Sequence, residues 1–252
     1  MSGPRTPLVL LHGVGLDSSM WEPFLAAHRV RDSREVLTLD LPGHGSRPPL
    51  TQETSLAEMA GDIVRRLPPR SHLLGFSLGA MVAQHIAYHH AERVSSLICV
   101  SSVCRRTEEE REAVLRRLGV AAQDFRASAS AALERWFPTE EGSLRTSPAV
   151  VEQTRQVLLA NDTASYLNAY RVFATADAEI NPLLGEIEVP TLAITGSEDP
   201  GSTPEMTHRL AHAIPGAAAV VIPGVRHMFP VQEPDILSRH IIDFLSTQAG
   251  AS

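Results

Sequence analysis

Residues Ser71-His72-Leu73-Leu74-Gly75-Phe76-Ser77-Leu78-Gly79 run directly into Ala80-Met81-Val82-Ala83-Gln84-His85-Ile86-Ala87. The first stretch is apolar and of strand length, and the last reads as a helix. Between them lies a Gly-x-Ser-x-Gly pentapeptide, residues 75–79. Set between a strand and a helix, this pattern makes a turn so tight that its serine takes a strained backbone conformation. Glycines on both flanks remove side chains that would clash, and the hydroxyl is pushed into a pocket. Ser77 is therefore the candidate nucleophile. The pentapeptide alone recurs by chance; its strand-to-helix context gives it weight.

Outward from this elbow, short apolar runs alternate with helical patterns. Strands are predicted at Leu8–Leu11, Glu35–Asp40, His72–Leu74, Ser96–Ser101, Thr191–Thr195 and Ala219–Ile222. Most are continuous apolar runs, as expected for parallel strands covered on both faces. Helices are predicted at Trp21–His28, Leu56–Leu67, Ala80–His89, Pro204–Ala213 and Asp235–Leu245. The fold class is α/β, a mostly parallel sheet flanked by helices. The alternation stops between Thr107 and Glu188. There Glu108–Leu118, Ala121–Phe137, Pro148–Ala160 and Thr163–Ala176 all read as helices. A helical cap, residues 107–186, is expected on a core made of 1–106 and 187–252. It is placed after the strand ending near Ser102.

The chain has 252 residues, of which 43% are hydrophobic, enough for a large buried core. Its formal charge is −7 and it has no basic run, which disfavours nucleic-acid binding. All 22 basic residues are arginine, read here as compositional bias. Cys99 and Cys104 match neither zinc nor thioredoxin spacing, so free, buried thiols in a reducing compartment are expected. No signal-peptide pattern precedes Leu8, and no apolar stretch has membrane-spanning length. A cytoplasmic protein without membrane contact is the resulting expectation.

A serine hydroxyl needs a base. Elbow serines are followed along the chain by an acid and then a histidine. Thr191–Thr195 leads into Gly196-Ser197-Glu198-Asp199-Pro200, and Ala219–Ile222 leads into Pro223-Gly224-Val225-Arg226-His227. Both loops follow strands, at the carboxyl edge where open α/β sheets bind ligands. His227 is assigned as the base and Asp199 as its partner, with Glu198 as the competing acid. A lone loop histidine among 11 would mean little; its place downstream of Ser77 and Asp199 selects it. His85, His89, His90, His208, His212 and His240 fall on predicted helices and read as solvent-facing or structural. Acyl transfer also needs oxyanion donors. The loop His12-Gly13-Val14-Gly15 can supply the Val14 N–H, and the elbow the Leu78 N–H. His12 is read as a brace for that loop. No Gly-Lys-Ser/Thr, early Gly-x-Gly-x-x-Gly or His-Glu-x-x-His occurs, so no nucleotide, cofactor or metal is expected.

Taken together, His12–Gly15, Asp40-Leu41-Pro42-Gly43-His44-Gly45, Gly75–Gly79, Gly196–Asp199 and His227 resemble the α/β-hydrolase superfamily over the whole chain. The resemblance implies a cap inserted after the sixth strand. Within the superfamily the chain is most similar to 3-oxoadipate enol-lactone hydrolases. That likeness extends through Arg135-Trp136-Phe137, residues 155–162, Tyr166 to Ala176, Val189–Leu192 and Gly196–Pro200. It implies hydrolysis of a carboxylate-bearing enol-lactone through a serine acyl-enzyme, a step of aromatic catabolism. Arg135 is then a candidate for the substrate carboxylate. The bland alternative is a solvated helix residue, with Trp136 as packing rather than pocket lining. Met228-Phe229-Pro230-Val231 after the histidine is bulkier than in the lactonases, which makes Met228 a candidate substrate contact. The same triad would also serve a broad carboxylesterase or a carbon–carbon bond hydrolase of ring-cleavage products. A non-hydrolytic lyase, synthase or ligand receptor on this fold is the alternative of another class.

Overall fold

The computed structural model describes residues 5–27, 34–139 and 146–249. Six strands form one sheet: β1 Leu8–Leu11, β2 Val36–Leu39, β3 Ser71–Phe76, β4 Val94–Val100, β5 Thr191–Gly196 and β6 Ala218–Ile222. Their spatial order is β2-β1-β3-β4-β5-β6, and every pairing is parallel. β1, β3 and β5 are buried throughout, which explains why their sequences do not alternate. The order reverses between β1 and β3, where Leu11 lies in register with Gly75. The loops leaving these two strands diverge from one point, and such a switch point is where open sheets leave a crevice.

Helices on the core are α1 Glu22–Ala26, α2 Leu56–Arg66 and α3 Leu78–His89. The expected Trp21–His28 helix is shorter, because Ser18–Trp21 is a 3-10 turn; His28 lies outside the described residues. α2 opens on a capping box in which Ser55 and Glu58 satisfy each other's backbone N–H groups.

Between β4 and β5 come α4 Glu108–Gln123, α5 Phe125–Trp136, α6 Pro148–Ala160, α7 Thr163–Thr175 and the short α8 Asp177–Ile180. Among the described residues the preceding strand is the fourth, not the sixth. The break between α4 and α5 falls at Asp124, later than the Gly119 region suggested. The Asp124 carboxylate accepts the Ala127 N–H at 2.9 Å and starts a new helix, while Gly119 stays helical and exposed. Part of the 107–186 stretch, residues 140–145, lies outside the described residues. The chain closes with α9 Pro204–Ala213, α10 Phe229–Gln232 and α11 Pro234–Ala249. Among the described residues no helix is long and apolar enough to cross a membrane.

A buried ion pair closes the base of the inserted helices. Arg106 Nη1 donates to Asp177 Oδ1 at 2.7 Å, and Arg106 Nη2 donates to the Phe173 carbonyl at 3.0 Å. The guanidinium also lies 4.8 Å from the centre of the Phe173 ring. Both side chains are buried, so each charge depends on the other. Asp177→Ala should therefore destabilise the protein by about 3–5 kcal/mol in urea unfolding, since it strands a buried guanidinium. The apolar pair Arg106→Met with Asp177→Leu should recover most of that loss. A single variant as stable as the parent would show the pair to be dispensable.

Candidate active site

Ser77 sits at the turn between β3 and α3 with φ 53° and ψ −113°, a left-handed backbone that side chains rarely adopt. Its N–H donates to the Val100 carbonyl at 2.9 Å, which pins the elbow to β4. A Cβ at position 75 would lie 2.1 Å from the Gly79 carbonyl oxygen, and one at position 79 would lie 2.5 Å from the His12 carbonyl oxygen. Only glycine fits either place. As the first residue of α3, Leu78 has an N–H with no helical partner. Across the switch point, the Val14 N–H meets no acceptor among the described residues. The structure thus brings the serine and both expected oxyanion donors to one place.

The acid and the base are strapped together by their backbones. Ser197 N–H donates to the Ile222 carbonyl at 2.8 Å and Glu198 N–H to the Val225 carbonyl at 3.0 Å. Asp199 Oδ2 accepts from His227 Nδ1 at 2.6 Å. Asp199 Oδ1 accepts the Gly201 and Ser202 N–H groups, each at 2.9 Å. These bonds hold the carboxylate still and fix the proton of His227 on Nδ1, leaving Nε2 as the basic nitrogen. Glu198 instead is exposed, with Arg226 Nε 3.7 Å away. The choice of Asp199 over Glu198 thus agrees with the geometry. The His227 ring packs 4.8 Å from Phe76 and stacks 6.0 Å from Trp136, at the end of α5.

Ser77, Asp199 and His227 line one open cleft together with Val14. The inserted helices supply the opposite wall: Arg117, Ser128, Arg135, Trp136, Tyr166, Tyr170 and Phe173. Arg135 and Trp136 both line the cleft. Met228 does not: it is fully buried in the core, at the start of α10. Its carbonyl accepts the Val231 and Gln232 N–H groups, so the chain turns into a short helix directly after His227 and carries the side chain inward. Arg117 was not anticipated. It stands in an arginine-rich helix whose pattern reads as solvated, and nothing in its spacing separates it from Arg116.

His12 braces the first loop as expected. Its Nε2 accepts the Leu41 N–H at 2.9 Å, and its Nδ1 donates to the Gly13 carbonyl at 2.7 Å. Burial holds its pKa down to about 4, and burial, aided by the charge of His12, holds that of the neighbouring His44 down to about 3. Burial tends to raise the Asp40 carboxyl, but hydrogen bonds from Ser46 and Ser18 outweigh it and bring the pKa to about 2. Cys99 and Cys104 are free and buried, and burial pushes their thiols up to about 12 and 11. Both are protonated at neutral pH.

Residues 8–239 match the alpha/beta hydrolase family, and the chain belongs to it. It is similar to the (E)-2-((N-methylformamido)methylene)succinate hydrolase of Acinetobacter baylyi, 29% identical over 97% of this chain and 92% of that one. The 3-oxoadipate enol-lactonase 2 of the same organism is 27% identical over 79% of this chain and 73% of its own. Among solved structures, the enol-lactonase of Burkholderia xenovorans superposes with a TM-score of 0.86 at 27% identity, covering 97% of this chain and 92% of that one. The relatives are hydrolases, and the enol-lactonase resemblance read from the motifs recurs among them.

His12 and His44, both buried, make stability depend on pH, with a further contribution from His72, whose pKa burial also lowers to about 4. Both are neutral in the folded protein, whereas an unfolded histidine titrates near 6.5. Below that value the unfolded chain takes up protons that the folded chain refuses, so stability falls as pH drops from 6.5 toward 4. For His12 alone the loss between pH 6.5 and 5 should be about 2 kcal/mol. His12→Gln keeps an acceptor near the Leu41 N–H but does not titrate. Its urea-unfolding free energy should therefore vary less between pH 7 and 5 than that of the parent. An equal slope in both would remove His12 as the source.

Proposed function

We propose that this protein hydrolyses a small carboxylic ester or lactone, of the 3-oxoadipate enol-lactone kind, through an acyl-enzyme on Ser77. The observation that carries this reading is the meeting of a strained elbow serine, an Asp199–His227 hydrogen bond and two free backbone N–H groups in one cleft. His227 Nε2 takes the Ser77 proton as Oγ attacks the carbonyl carbon. The oxyanion forms against the Val14 and Leu78 N–H groups, whose dipoles are already in place. Collapse breaks the ester bond, and His227 returns the proton to the departing oxygen; in an enol-lactone that oxygen stays tethered as the ring opens. Water, deprotonated by His227, then attacks the acyl carbon and frees Ser77. Asp199 holds the imidazole and stabilises its positive charge.

In this reading residues 107–186 are a cap on a core of 1–106 and 187–252, and Arg135 faces a substrate carboxylate. The names of the relatives support a small, acidic substrate: one is an enol-lactonase and the other acts on a substituted methylenesuccinate.

The test is steady-state turnover of 3-oxoadipate enol-lactone beside a neutral aryl ester. Ser77→Ala should lower kcat by roughly 10⁴ or more, and Asp199→Asn by roughly 10⁴. Activity surviving in Ser77→Ala would mean another nucleophile. Arg135→Gln should raise KM for the anionic substrate more than for the neutral ester; equal losses on both would remove Arg135 from carboxylate binding.

A further inference from the structure

Arg117, on α4, and Arg135, on α5, face the same cleft as Ser77 and His227. Among the described residues neither makes an ion pair or a hydrogen bond, while several other arginines on or beside these helices do. Arg106 and Arg111 share Asp177, Arg155 holds Glu152 and Arg171 holds Glu53. Both unpaired side chains are partly buried. They are also close enough for the charge of Arg117, after burial, to lower the pKa of Arg135.

The cleft contains one carboxylate, Asp199, and its oxygens are occupied by His227, Gly201 and Ser202. Two like charges therefore meet in a partly dehydrated space, and among the described residues neither is paired with an acid; the exposed Glu134 acts on Arg135 only through its charge. Burying unpaired charge is unfavourable, and mutual repulsion adds to it. The aromatic wall beside the arginines, Trp136, Tyr166, Tyr170 and Phe173, suits a flat ligand. Ser202, fully buried and with no partner for its hydroxyl among the described residues, adds one more polar group to the lining.

We infer that Arg117 and Arg135 together form a two-cation site selecting substrates with two carboxylates, and that Arg117 is a specificity residue equal in weight to Arg135. This rests on the proposed hydrolytic reading for its placement, but not for its chemistry. A guanidinium grips a carboxylate through paired N–H groups, so two of them complement a dicarboxylate better than a monoacid. The natural substrate would then carry one acid group more than a singly charged lactone does.

Binding of succinate, butyrate and succinamide to the full-length protein, measured by calorimetry, tests this without turnover. Succinate should bind about tenfold or more tighter than butyrate, and succinamide weakest. That gap should close to about twofold in Arg117→Gln and in Arg135→Gln, and Arg117→Lys should restore part of it. Thermal melts of each variant establish that it is folded. Succinate binding no tighter than butyrate, or a gap unchanged by Arg117→Gln in a folded variant, would overturn the inference. Ser77-dependent ester turnover separates the two readings. Turnover without dicarboxylate preference leaves the hydrolase and removes the site; dicarboxylate preference without turnover does the reverse.

Discussion

The close packing of β1 against the elbow is the constraint on which the site depends. The backbones of residues 11–12 and Gly79 approach until no side chain fits between them: a Cβ at 79 would fall 2.5 Å from the His12 carbonyl oxygen, and within the turn itself a Cβ at 75 would fall 2.1 Å from the Gly79 carbonyl oxygen. This contact follows from the switch in strand order, which sets Leu11 beside Gly75. The crowding holds Ser77 in its left-handed conformation, and the bond from its N–H to Val100 keeps it there. Strain of this kind persists only where the surroundings over-determine it. Here they do so from both sides, with β1 on one and β4 on the other. The same approach brings the Val14 loop to the serine: a Cβ on Gly13 would lie 3.3 Å from that of Ser77.

The polar groups around the serine are held by bonds that leave little to rearrange. His12 spans from the Gly13 carbonyl to the Leu41 N–H, a role that requires the neutral ring, and burial keeps it neutral. The far side of the loop is held by the inserted helices. Asn161 Nδ2 donates to the Gly15 carbonyl at 2.9 Å, and Leu158 and Tyr166 press on Gly15 so closely that a Cβ there would meet them at 2.6–2.7 Å. The helices that wall the cleft therefore also hold the loop carrying the Val14 N–H. A displacement of α6 and α7 would be felt at that donor, because packed elements transmit shifts rather than absorb them.

The core of this arrangement was legible because local chemistry dictated it. Continuous apolar runs marked the buried strands, and the glycine spacing marked the elbow. Asp199 and His227 could be chosen because each follows a strand whose carboxyl end faces the crevice. Where several residues were locally equivalent, the sequence was silent. Nothing around Met228 shows that the chain turns into a one-turn helix and buries it. Gly119 looked like a helix break, but an exposed glycine can remain helical, and Asp124 made the break because its side chain caps the next helix. Arg116 and Arg117 are adjacent and alike; only the rotation of α4 sends the first to Glu112 and the second to the cleft.

That last pair bears on where the proposed specificity would lie. Ser77, Asp199 and His227 sit at the sheet edge, where backbone crowding and hydrogen bonds fix them. The substrate-facing wall is built from helices whose own stability needs only caps and a buried seam. Its cleft-facing positions are therefore free to carry any side chain that the ligand rewards. An arginine in such a position gains nothing from the fold: it loses hydration and repels its neighbour. Two of them, on separate helices and lining the cleft of Ser77 with no acid paired to either among the described residues, are the arrangement from which a charged ligand was inferred.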